Sequence, residues 1–249
     1  MTLIGYISGR EKIANLPVAL ILAILLGLSA CAQVKPPQPP DFSKFEDQPL
    51  PLEAIQWLNP GPQTKINDLI LQVSNSIKGQ NRRERLYQVQ FYIWDTFRYD
   101  VWLNDIMLQR TAAQLFEEKT LGGCSDFALA KVALFRAVGI PARLVLTANT
   151  DWLKKYRLNP LTITTGHVFI EAYLEDRWLL VDSTYRKLFA GYDLTDENYP
   201  RGELFCLRGA DYWSLNLRNV EQLNSTYAQL AVAMAPEKYR APKYEEYQL

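Results

Sequence analysis

Histidine is almost missing from this chain: His167 is the only one in 249 residues. A site built from several imidazoles is thereby excluded. A zinc site of one cysteine, this histidine and an aspartate finds no fourth ligand at metal spacing, so no metal is expected. An excess of charge is missing as well, with 27 Lys+Arg against 27 Asp+Glu. Without residues 1–30 the balance becomes 25 against 26, which leaves no electrostatic case for a nucleic-acid partner. No phosphate loop, cofactor motif or internal repeat occurs, and no cofactor is expected. Long apolar runs are absent too. The longest, Leu16 to Leu28, has thirteen residues and contains Pro17 and Gly27. A membrane span needs about 20, so this run suits the apolar core of a signal peptide instead.

The flanks of that run are informative. Arg10 and Lys12 precede it and Leu28-Ser29-Ala30-Cys31 ends it. The pattern resembles a bacterial lipobox, in which the cysteine is lipidated and becomes the new N-terminus. It implies a lipoprotein signal peptide over 1–30, a lipid on Cys31 and attachment to a membrane through that lipid. The expected residence is the bacterial cell envelope, at the outer membrane facing the periplasm. An ordinary signal peptide cleaved near Ala30 is the alternative. Eight prolines between Pro36 and Pro62 favour extended chain without a core. Residues 31–62 therefore read as a lipidated cysteine and a spacer. At 48% hydrophobic and 12% aromatic, the remainder can bury a core as one domain over 63–235, with a loose tail over 236–249.

Hydrophobic periodicity orders that domain. Ile66, Leu69, Ile70, Val73 and Ile77 mark a helix over 64–78, and Leu86, Val89, Ile93 and Phe97 a second over 82–97. Thr111 is expected to cap a short helix ending near Lys119. Phe127, Ala130, Leu134, Phe135 and Val138 form one stripe over 124–138, with alanines at 128, 133 and 137 on its flanks. A helix so apolar belongs at the centre of a fold rather than on its surface. Gly139 and Pro141 end it. Strands are expected over 142–147, 167–173 and 177–182, a polar loop over 148–165, and a helix near 219–233. The expectation is an α+β domain: a central cysteine-bearing helix on an antiparallel sheet, preceded by N-terminal helices.

The chemistry concentrates in three residue types. Cys124 opens the apolar helix after Gly122-Gly123. His167 follows it by 43 residues, and Asp182 follows His167 by 15. A thiol nucleophile needs a thiolate, an imidazole to pair with it and a carboxylate to orient the ring. If strands 167–173 and 177–182 pair so that His167 faces Asp182, Val168, Ile170, Ala172, Leu179 and Val181 share one apolar face. A one-residue slip would separate the carboxylate from the ring. Directly opposed Cβ atoms lie about 4.5–5.5 Å apart, within reach of a hydrogen bond. The helix N-terminus contributes only about 0.3–1 kcal/mol toward a thiolate. An imidazolium about 4 Å away at an effective dielectric near 20 contributes about 4 kcal/mol. The histidine must therefore do most of the activation, while free N–H groups of the first helical turn supply an oxyanion hole. Cys206 reads as a small buried hydrophobe, with a Cys124–Cys206 disulfide as the alternative that would silence the thiol.

Two stretches carry a family resemblance: Gly122 to Val145 (GGCSDFALAKVALFRAVGIPARLV) and Gly166 to Tyr185 (GHVFIEAYLEDRWLLVDSTY). They resemble the bacterial transglutaminase-like superfamily, most tightly over 111–185. The resemblance implies a papain-like core, with Cys124 as nucleophile, His167 as base and Asp182 as its orienter. Asp126 falls on the family's acidic position. Gly123, Asp126 and Gly166, with the aromatics Tyr99 and Trp102, are the expected substrate-side residues. Ser183 replaces a common proline, and Val168-Phe169 a common Ala-Trp; neither removes a catalytic group. The activity expected is cleavage or transfer of amide bonds through a cysteine thioester, with hydrolysis favoured. Its partner would be a protein or peptide of the cell envelope. The alternative is a catalytically silent binding module in an envelope complex.

Overall fold

The structure, a computed structural model, describes residues 40–193 and 195–248. The expected signal peptide (1–30) and the lipidation site at Cys31 lie outside the described residues. Residues Phe42–Leu249 form one compact unit, which carries the sheet, its helices and the candidate site.

The centre of this unit is an antiparallel sheet flanked by helices. After α1 (Leu52–Ile55) come α2 (Asp68–Ser76) and α3 (Arg82–Thr96). Two short strands, β1 (Arg98–Tyr99) and β2 (Thr120–Leu121), pair in parallel and bracket α4 (Ala112–Glu118). Then α5 (Cys124–Ala137) leads into β3 (Ala142–Asn149), α6 (Thr150–Leu158), β4 (Gly166–Leu174), β5 (Arg177–Asp182) and β6 (Lys187–Ala190). The chain finishes with β7 (Asn198–Tyr199), β8 (Glu203–Gly209), α7 (Val220–Ala233) and β9 (Glu245–Gln248). The larger sheet has the order β7-β8-β3-β4-β5-β6-β9, and every neighbouring pair is antiparallel. Every residue of α5 from Ser125 to Arg136 is buried. This helix lies between β3 and β4 on one side and α2, α3 and α4 on the other.

Local chemistry explains the helix starts. Asn67 accepts from the Ile70 N–H at 3.0 Å, Asn81 from Glu84 at 2.9 Å and Asn219 from Gln222 at 2.9 Å. Each satisfies a donor that the helix leaves unpaired. Thr111 forms a full capping box with Gln114. The stretch expected as a loop, 148–165, instead contains α6. Asn149 caps it, and Trp152 and Leu153 are buried. Lys154, Lys155 and Arg157 on its outer face hid the apolar stripe.

The hairpin register differs from the expected one. Asp182 pairs with Phe169 rather than His167, and Ile170 with Val181. The turn has two residues, not four: Glu175 and Asp176 both take positive φ, 54° and 59°, as a type I′ turn requires. Its usual Asn-Gly signature is absent. The tighter turn slides the strands by two residues, an even shift, so each side chain keeps its face.

The proline-rich stretch is not free spacer in its second half. The Asn81 amide donates to the carbonyls of Phe42 and Phe45, both at 2.9 Å, and Arg136 Nε donates to that of Trp57 at 3.0 Å. Ala54 is fully buried. Turns and short helices of this stretch leave carbonyls open, and donors of the domain take them up. Nor is the C-terminal tail loose. Pro236–Lys238 form a helical turn, and β9 pairs with β6 in register Leu188↔Tyr247.

Candidate active site

Cys124 is the first residue of α5, partly exposed, and no side chain caps that helix. Its first-turn N–H groups therefore remain available at the sulfur. The turn before it is pinned from below: the Gly122 N–H donates to Asp126 Oδ2 at 2.7 Å, and Arg110 pairs with the same oxygen. Burial raises the Asp126 pKa against these two contacts. Asp126 thus shapes the loop under Cys124 and does not line the cavity.

His167 begins β4 and Asp182 ends β5, at the same end of the sheet. The two-residue shift makes them diagonal rather than facing neighbours, still within reach of each other. His167 Nε2 lies 3.0 Å from Asp182 Oδ1. That contact leaves the other ring nitrogen, Nδ1, free of the carboxylate. Phe169 meets the ring edge-on at 4.8 Å. Burial pulls the His167 pKa down, but hydrogen bonds to Asp182 and Cys124, with their charges, outweigh it and raise the value to about 9. Burial works the other way on Asp182, and there the His167 contact and the N–H groups of Tyr185 and Thr184 prevail, lowering it to about 2. The geometry favours a charged imidazolium next to sulfur across the neutral range.

A cavity of about 690 Å³ opens over these atoms, with Cys124, His167, Gly123 and Gly166 in its wall. Gly166 is required by close approach: a Cβ there would come within 2.1 Å of the Thr147 carbonyl oxygen. Tyr212 and Tyr227 also line the cavity, held by hydrogen bonds to the Ser125 carbonyl at 3.0 Å and the Thr147 carbonyl at 2.9 Å. Tyr99 and Trp102 are exposed and stand outside the lining, although Asn104 and Asp105 of the same segment belong to it. Cys206 is free and buried, and burial pushes its thiol pKa up. No cluster able to hold a metal ion exists among the described residues.

Sequence reasoning missed Lys131 and Arg201. Lys131 is fully buried in α5 and donates to the Ser183 carbonyl at 2.8 Å, beneath the Asp182 loop. A lysine inside so apolar a helix was the available signal. Burial lowers its pKa from 10.5 to about 7, against the pull of Asp182. The folded chain then binds fewer protons than the unfolded one between those values, so the stability tied to this lysine is lost as pH falls through that window. We expect the unfolding free energy of the wild type, relative to Lys131→Met, to rise from pH 7 toward 10, by up to about 1.4 kcal/mol per unit. Denaturant titrations at several pH values check this; a difference independent of pH refutes it.

Residues 71–183 match the family model of the Transglutaminase-like superfamily, and the domain is α+β. No curated protein matches the chain. Among solved structures, it is similar to a chain from Cytophaga hutchinsonii described as a candidate cysteine protease, with 24% identity and a TM-score of 0.48. The alignment covers 66% of this chain and 50% of that one. A second, described as a TGase, has 20% identity and a TM-score of 0.32, covering 47% and 31%. The chain thus spans half the length of the first and about a third of the second.

Proposed function

We propose that this chain, with its transglutaminase-like core, is a cysteine-dependent enzyme that opens amide bonds through a thioester. The observation that carries the reading is the placement of Cys124 and His167 in the wall of one cavity, with the imidazole 3.0 Å from the Asp182 carboxylate. In the proposed reaction the Cys124 thiolate attacks the amide carbon, and the oxyanion takes N–H bonds from the first turn of α5. Protonated His167 donates to the leaving nitrogen, the C–N bond breaks and an amine departs. Neutral His167 then takes a proton from water, whose oxygen attacks the thioester, and a carboxylic acid and the thiolate result. If an amine attacks instead, a new amide forms. Hydrolysis is favoured, because water in an open envelope compartment competes strongly with amines.

The proposed setting is the bacterial cell envelope, with the domain tethered by a lipid on Cys31 and acting on envelope protein or peptide. The lipobox-like sequence supports this. No helix among the described residues is long and apolar enough to cross a membrane. A thiol-directed amide probe tests the enzyme. We expect it to label the wild type and to fail on Cys124→Ala and His167→Ala. Labelling no stronger than that of denatured chain would point to a silent binding module. A fluorescent amine coupled to glutamine donors, without cleavage of any envelope protein, would overturn the preference for hydrolysis.

A further inference from the structure

The Asp182 carboxylate is fully buried and its two oxygens are held differently. Oδ1 accepts from His167 and from the N–H groups of Thr184 at 2.9 Å and Tyr185 at 3.0 Å. Oδ2 accepts from Arg201 Nη1 at 2.7 Å. The backbone donors come from the turn just after Asp182. Arg201 comes from a separate segment.

That segment is strained. Arg201 has φ 70°, in the left-handed region that side-chain-bearing residues avoid and glycine adopts freely. Such a conformation persists only where its surroundings over-determine it. Tyr239 does so here: its hydroxyl accepts from the Gly202 N–H at 3.1 Å and donates to the Tyr199 carbonyl at 2.9 Å, clamping both sides of the turn. The guanidinium also lies over the Tyr185 ring, 4.9 Å from its centroid. Tyr185 is the residue whose N–H holds Oδ1. Carboxylate, ring and guanidinium thus form a closed set.

We propose that Arg201 is a positioning residue for the proposed thioester reaction, on which this rests: its guanidinium fixes the rotation of the Asp182 carboxylate so that Oδ1 stays on His167. Charge alone predicts the opposite sign. A cation at Asp182 weakens the hold of that carboxylate on the imidazolium proton. An Arg201 acting only by charge would, once removed, make His167 retain its proton to higher pH. A positioning Arg201, once removed, makes His167 lose it sooner.

Arg201→Gly separates the two, because glycine accepts φ 70° and the turn survives. The measurement is the rate at which an amide probe acylates Cys124 against pH, followed on the Cys124 peptide of the full chain. We expect a loss of roughly ten- to hundredfold at pH 7, the range for removing a hydrogen bond to a charged group. The basic limb should move down in pH, and guanidinium ion should restore much of the rate where equal sodium chloride does not. Arg201→Lys, which keeps the charge and a donor, should retain part of the rate. Tyr239→Phe, which frees the turn but keeps Arg201, should give a smaller loss. An unchanged rate in Arg201→Gly, a basic limb moved upward, or a loss that guanidinium leaves in place would each overturn the proposal. If wild-type Cys124 is acylated no faster than in the denatured chain, the enzyme reading itself fails, which is seen before any Arg201 variant is made.

Discussion

Replacing His167 with alanine should slow alkylation of Cys124 at pH 7 by roughly 10²- to 10³-fold. The sulfur stands at the start of α5 and shares the cavity wall with the imidazole. Base assistance of this kind, in which the ring takes the thiol proton as sulfur attacks, contributes about 10²- to 10⁴-fold. The helix N-terminus survives the substitution, but at about 0.3–1 kcal/mol it cannot compensate. Alkylation followed by peptide mass gives the rate directly, and circular dichroism shows whether the fold persists. A folded His167→Ala protein that reacts like the wild type would remove the histidine from the mechanism.

Asp182→Asn should move the basic limit of reactivity downward from about pH 9, the value to which His167 is raised. A raised histidine pKa means that the contacts holding the proton are complete below the ordinary value of 6.5 and are lost as pH rises through 9. Asparagine keeps an oxygen for Nε2 but removes the negative charge, so one of the causes of the rise disappears while burial still pushes down. We expect the limb to fall by about a unit, which costs about twofold at pH 8 and about fivefold at pH 9 in the rate of amide opening. Profiles of kcat/KM, or of acylation by an amide probe where no substrate is yet in hand, measure it. An unmoved limb would show that Asp182 contributes geometry alone. The two variants should also fail to add. His167→Ala already removes the ring that Asp182 orients, so adding Asp182→Asn should change little further.

The reason these residues could be named from sequence lies in short-range patterns. Cys124 opens a stripe of period 3.6, and His167 and Asp182 end segments of alternating or continuous apolar residues. Both are read within ten or so neighbours. Their chemistry follows from residue type. The register was harder. Glu175-Asp176 carries no turn signature, and its positive φ values appear only in the folded chain. The error was two residues, and parity kept His167 and Asp182 on one face despite it. The helix over Thr150–Leu158 was lost for a similar reason: its apolar face is three residues wide, with charges between.

Sequence alone determined the helix that presents Cys124, the strands that carry His167 and Asp182, and the absence of rival histidines. Each depends on the composition and spacing of neighbouring residues. Only the tertiary structure decided that Nε2, rather than Nδ1, meets the carboxylate, that Lys131 sits under its loop, and that Arg201 reaches its second oxygen. Those contacts join segments 15, 52 and 19 residues apart. Their geometry is set by turns and packing between elements, and no local periodicity encodes it.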